Sequence, residues 1–79
     1  MKNPLAAKAF GVHLRRIRES RELSQRELAD LCDLSRRTII RIENGDSTNL
    51  DVLVSLAKGL EIDFSELVIF EIPKEKGRK

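Results

Sequence analysis

Residues Leu23–Gly45 read LSQRELADLCDLSRRTIIRIENG, two short helix-forming runs with a tight turn between them. Ser24 stands three residues before Glu27, the spacing of a capping box in which each side chain accepts the other's free backbone N–H. Behind this box Leu28, Ala29 and Cys32 recur at helical spacing and face inward, with Leu31 at the border of that face. Asp33 falls where the chain must turn sharply, and Asp tolerates a left-handed backbone better than most residues carrying a Cβ. Leu34 plugs the turn, and Ser35 caps the second helix. There Ile39 and Ile42 face inward with Thr38 beside them, while Arg36, Arg37, Ile40 and Arg41 fall on the outer face. Glu43-Asn44-Gly45 closes the run, with Gly45 suited to the left-handed position after a helix.

Upstream, Asn3-Pro4 opens a first helix, because proline at the first helical position loses no hydrogen bond. Phe10, Leu14 and Ile17, with Ala6 and Ala7, make its apolar face, and it ends around Arg21-Glu22. Gly11 in its middle costs about 1 kcal/mol relative to Ala, which a close helix–helix approach would offset. His13 reads as a surface residue, and Arg15 and Arg16 as solvated charges or phosphate contacts. Downstream, Thr48 and Asp51 form a weaker capping box for a fourth helix with a broad apolar face: Leu50, Leu53, Val54, Leu56, Ala57 and Leu60. Asp63 caps a short fifth helix with Phe64 and Leu67 inward. Nothing before Val68 alternates as a strand, so the expected fold is all-α, with four or five helices. Residues 1–70 form one domain, and residues 71–79 are expected to be a disordered basic tail.

A chain of 79 residues buries only about 60% of its unfolded surface, so its margin of stability is thin. With three Phe, no Trp and no Tyr, the core must come from packed aliphatic side chains. The single cysteine excludes an internal disulfide; Cys32 reads as a small core residue. One histidine and one cysteine offer no metal-ligand cluster, and no cofactor motif is present. No nucleophile–base pair or glycine-rich phosphate loop marks an enzyme. No apolar run reaches bilayer-spanning length and no signal peptide is readable, so a cytoplasmic, nucleoid-associated location is expected. Residues 1–41 carry ten Lys/Arg against five Asp/Glu, and residues 42–70 one against six. Such a split is either an unevenly solvated surface or one face that meets a polyanion.

Helix-turn-helix spacing lays the second helix across the first so that its N-terminal residues reach base edges in the major groove. The motif here resembles the Cro/repressor-type, or XRE, helix-turn-helix regulators. The likeness rests on Gly11, Leu14, Ile17 and Arg18, then Leu23-Ser24-Gln25 and Glu27-Leu28-Ala29. It continues through Leu34-Ser35-Arg36, Thr38-Ile39, Arg41-Ile42-Glu43, Gly45, Leu50-Asp51, Leu53, Leu56-Ala57, Leu60 and Leu67. The resemblance implies a five-helix Cro/repressor-like fold working as a two-fold dimer on a palindromic operator in double-stranded DNA. It implies that Gln25 anchors a phosphate, although a merely polar first-turn residue would look the same. It also implies that Ser35, Arg36, Arg37 and Arg41 face bases or flanking phosphates, that Asn44 touches the DNA backbone, and that Arg18 pairs internally with Glu43.

Three positions depart from that pattern. Asp33 replaces the usual turn glycine, Glu22 stands where a glycine often ends the first helix, and Ile40 occupies an outward position that is commonly polar. Ile40 either meets a thymine methyl or is simply exposed. The apolar residues Val68, Ile69 and Phe70, with Phe64, suggest a homodimer contact and a short strand; the alternative is that they fold back on their own core.

These readings converge on a small transcriptional regulator that occludes or recruits RNA polymerase, its own concentration being the control variable. Two alternatives share the scaffold: an antitoxin that represses its own operon and binds a toxin, and a protein-interaction module without DNA binding. The three outward arginines weigh against the last.

Overall fold

The computed structural model describes residues 3–73; of the tail expected over residues 71–79, residues 74–79 lie outside them. Five helices follow one another: α1 Pro4–Ser20, α2 Gln25–Cys32, α3 Arg36–Glu43, α4 Leu50–Leu60 and α5 Phe64–Val68. Among the described residues there is no strand, and Ile69–Pro73 runs on without regular structure. The strand suggested by the apolar run after Val68 is therefore absent from it.

The α2, α3 and α4 helices each start where a side chain satisfies a first-turn amide. Ser24 Oγ accepts from the Glu27 N–H at 3.0 Å while Glu27 Oε1 accepts from the Ser24 N–H at 2.8 Å, the reciprocal box expected for α2. Ser35 Oγ accepts from the Thr38 N–H at 3.0 Å and so opens α3. Asn3 occupies the N-cap position of α1, but its side chain makes no capping bond, and Pro4 does the local work. The fourth helix begins one residue later than expected: Asn49, not Thr48, is its cap, with Oδ1 accepting from the Val52 N–H at 2.9 Å. Both residue types cap well. The frame is set by the need to aim Val52, Leu53, Leu56, Ala57 and Leu60 at the core, and it leaves Leu50 and Val54 exposed.

The joints are tight. Glu22, Asp33 and Glu61 all adopt left-handed backbone, at φ 58°, 56° and 57°. Asp33 does what the turn required, Glu22 takes up the strained backbone itself, and α1 stops at Ser20 rather than at Arg21-Glu22. Gly45 (φ 99°) ends α3.

The core draws on all five helices: Phe10, Leu14, Leu28, Ala29, Cys32, Ile39, Ile42, Leu56, Ala57, Leu60 and Leu67. Two glycines permit the closest crossings. A Cβ on Gly11 would collide with the carbonyl oxygen of Ile42, so α1 and α3 touch backbone to backbone there. A Cβ on Gly59 would lie 2.7 Å from the Cα of Cys32, fixing α4 against α2. Gly11 was legible as a close approach; Gly59 was not singled out.

At the far end Phe70 returns to α1. Its ring sits 5.6 Å from that of Phe10 and stacks on His13 at 5.4 Å, while His13 Nε2 lies 3.2 Å from the Glu66 carbonyl oxygen. His13 is thus half-buried beneath the C-terminal segment, not a free surface residue. Phe64, expected inward, is 39% exposed, because α5 has only five residues and Leu67 takes its core-facing position.

Candidate nucleic-acid interface

The α3 helix is divided sharply along its length. Ile39 and Ile42 are sealed in the core at 0% and 2% exposure, while Arg36, Arg37 and Arg41 are exposed. The pairs 36/40 and 37/41 are four residues apart, so they are neighbours on one helix surface. Ile40 among them is half-buried, partly covered rather than fully offered to solvent. At the two ends of α3 stand Ser35, whose Oγ is shared with the Thr38 amide and hydroxyl, and Asn44, whose N–H is bound to the Ile40 carbonyl. Both are exposed.

What holds α3 in place is a buried polar cluster. Arg18 Nε donates to Glu43 Oε2 at 2.7 Å and Nη2 to Oε1 at 3.1 Å, and Nη1 donates to the Leu23 carbonyl at 2.7 Å. Gln25 Nε2 donates to Glu43 Oε1 at 3.1 Å. The side chains of Arg18 and Glu43 are 10% and 2% exposed, and the bonds with Glu43 raise the Arg18 pKa further above its ordinary value, against the opposing pull of burial. The Glu43 carboxylate therefore ties α1 and the start of α2 to the last residue of α3, and Arg18 holds the intervening loop through Leu23.

Gln25 was expected as a phosphate anchor, and its bond to Glu43 went unforeseen. The bond uses one of its two amide hydrogens and leaves the other for a ligand. Sequence reasoning also passed over Arg26, exposed beside it in the first turn of α2. It missed Asp46, whose carboxylate accepts from Arg41 Nε at 2.9 Å. A signal for Asp46 did exist: a left-handed Gly45 swings the next residue back over the last turn of the helix.

Phe64, Val68, Ile69 and Phe70 divide into two sets. Phe70 and Val68 pack on the chain's own core, whereas Phe64 and Ile69 face outward, Ile69 at 71% exposure. Cys32 is buried at the crossing of α2 and α4, and burial pushes its thiol up to about 11. Among the described residues no group of side chains could hold a metal ion, and no helix is long and apolar enough to cross a membrane.

Several solved structures share this arrangement. The restriction-modification controller protein C.AhdI from Aeromonas hydrophila is 35% identical, with TM-score 0.73, over 77% of this chain and 94% of that one. An HTH_3 family transcriptional regulator from Vibrio cholerae is 31% identical, with TM-score 0.74, over 82% of this chain and 38% of that one. The clp gene regulator ClgR from Corynebacterium glutamicum is 26% identical, with TM-score 0.72, over 82% and 86%. No curated protein matches the chain. The HTH_3 profile, described as helix-turn-helix, covers residues 14–67, from the middle of α1 to the buried leucine of α5. The chain belongs to this family, the XRE type of DNA-binding helix-turn-helix regulator.

Proposed function

We propose that the protein regulates transcription by binding a palindromic operator in double-stranded DNA as a homodimer, with α3 in the major groove. The observation that carries this reading is the division of α3, with exposed Arg36, Arg37 and Arg41 backed by fully buried Ile39 and Ile42. An arginine so placed can bond guanine O6 and N7 together, and its neighbours can meet phosphates. Ser35, Asn44 and the free hydrogen of Gln25 suit backbone phosphates, the last helped by unpaired amides at the start of α2. Ile40 suits a thymine methyl. The controller role of C.AhdI and the regulator role of the Vibrio protein support a regulatory purpose.

The dimer contact falls on Phe64 and Ile69, flanked by Val68 and Phe70. Two copies so joined must present their α3 helices about 34 Å apart, one turn of DNA. Selection from random duplexes at moderate salt tests the whole reading: an inverted repeat with guanine in each half-site is expected, and no enriched motif would overturn it. Sedimentation of Ile69→Asp tests the dimer. Ile69 is a cleaner probe than Phe70, which also packs on α1.

A further inference from the structure

We propose that Asp46 is the positioning residue that fits Arg41 to read guanine, a step that rests on the DNA-binding reading above. The two are joined twice. The Asp46 backbone N–H donates to the Arg41 carbonyl at 3.0 Å, and the Asp46 carboxylate accepts from Arg41 Nε at 2.9 Å. Gly45, at φ 99°, makes the first bond possible by turning the chain back over α3. The second bond uses only the inner nitrogen of the guanidinium. Among the described residues no other hydrogen bond engages the Arg41 side chain, so both of its terminal nitrogens stay free. Those two nitrogens form the edge that matches guanine O6 and N7.

The pair is exposed, with side chains at 62% and 52%, and exposed ion pairs stabilise a fold little. A carboxylate beside a DNA-binding face also repels phosphate and lowers affinity for every sequence alike. Neither stability nor affinity therefore accounts for Asp46, whereas orientation does. An unbuttressed arginine can swing among many rotamers and serve phosphates as readily as bases. One held at Nε loses that freedom before DNA arrives, so less entropy is lost on binding.

The test uses the full chain and its selected duplex. Each guanine of the half-site is replaced in turn by 7-deazaguanine, which lacks the N7 acceptor. The guanine whose replacement weakens wild type but not Arg41→Ala is the one Arg41 reads. Asp46→Ala is expected to lose discrimination at that base by roughly tenfold. Its affinity for unrelated duplex should hold or rise, and its melting temperature should stay within a few degrees of wild type. Asp46→Asn, which keeps an acceptor oxygen, should retain more of the discrimination than Asp46→Ala. Wild-type discrimination in Asp46→Ala would overturn the proposal, as would a parallel change for all duplexes. If no guanine responds to Arg41→Ala, the base-reading role of Arg41 itself falls, and Asp46 with it.

Discussion

Arg18 and Glu43, 25 residues apart, meet through two parallel hydrogen bonds at 2.7 and 3.1 Å, and so join α1 to the end of α3. Both side chains are nearly closed to solvent, so neither can turn to water if the other is removed. Arg18→Met leaves Glu43 as a buried carboxylate with only Gln25 to bind it. The expected loss is about 3 kcal/mol, since removing one member of a buried pair strands the other charge. For a domain of this size the melting temperature should fall by more than about 12 °C. The double variant Arg18→Met/Glu43→Leu should lose clearly less than the sum of the singles, as calorimetry on the cycle would show. Arg18 keeps its charge across the working pH range, its raised pKa moving deprotonation still further from neutrality.

Gly11 should respond against its helix propensity. Gly→Ala within a helix normally stabilises by about 1 kcal/mol. Here the added methyl would meet the backbone oxygen of Ile42 and, at 3.1 Å, that of Glu43, and neither can yield as a flexible side chain does. Gly11→Ala is expected to destabilise by about 1–3 kcal/mol through overpacking and to disturb the presentation of α3. A rise in urea midpoint would contradict the close crossing.

The left-handed joints offer the opposite sign. Glu61 and Asp33 hold φ of 57° and 56° with a Cβ present, a conformation that glycine adopts without penalty. Glu61→Gly should raise stability by roughly 0.5–1 kcal/mol, even after the extra freedom glycine gives the unfolded chain. Asp33→Gly should gain less, because Asp is the better tolerated of the two. Thermal midpoints of the two variants, measured side by side, check the order.

Cys32 gives the fold an alkaline weakness. Burial raises its thiol from an ordinary 9.0 to about 11. Below pH 9 the thiol is protonated whether the chain is folded or not, and its contribution is complete. From pH 9 to 11 the unfolded chain releases the proton while the folded chain keeps it, so stability falls as pH rises through that window. Cys32→Ala should show a flatter profile than wild type there, whatever its stability at neutral pH. A thiol reagent should label the native protein slowly and the urea-unfolded chain at once.

The helices were legible wherever a local rule sufficed. The Ser24–Glu27 box, Ser35, Gly45 and the inward spacing of Leu28, Cys32, Ile39 and Ile42 each depend on neighbours within four residues, and all appear as read. The slip from Thr48 to Asn49 came from two adjacent residues with equal capping chemistry, between which only the core facing of α4 decides. The site was harder to read. Arg18 and Glu43 could be paired because the resemblance implied it, but the bond from Gln25 to Glu43 joins residues 18 apart and follows no period. His13 illustrates the same limit. Its stacking partner Phe70 and its contact at Glu66 lie more than fifty residues away, and nothing around position 13 announces them.

The return of Phe70 to Phe10 has a kinetic side. It closes the longest loop of chain that any aromatic contact in the fold requires, and long loops carry the greatest closure entropy. Only the five residues of α5 support it locally. This segment should dock last during folding and exchange its amide hydrogens first in the native protein. The outward face of Ile69 is then complete only once this segment has docked, so in the proposed homodimer assembly would wait for folding to finish.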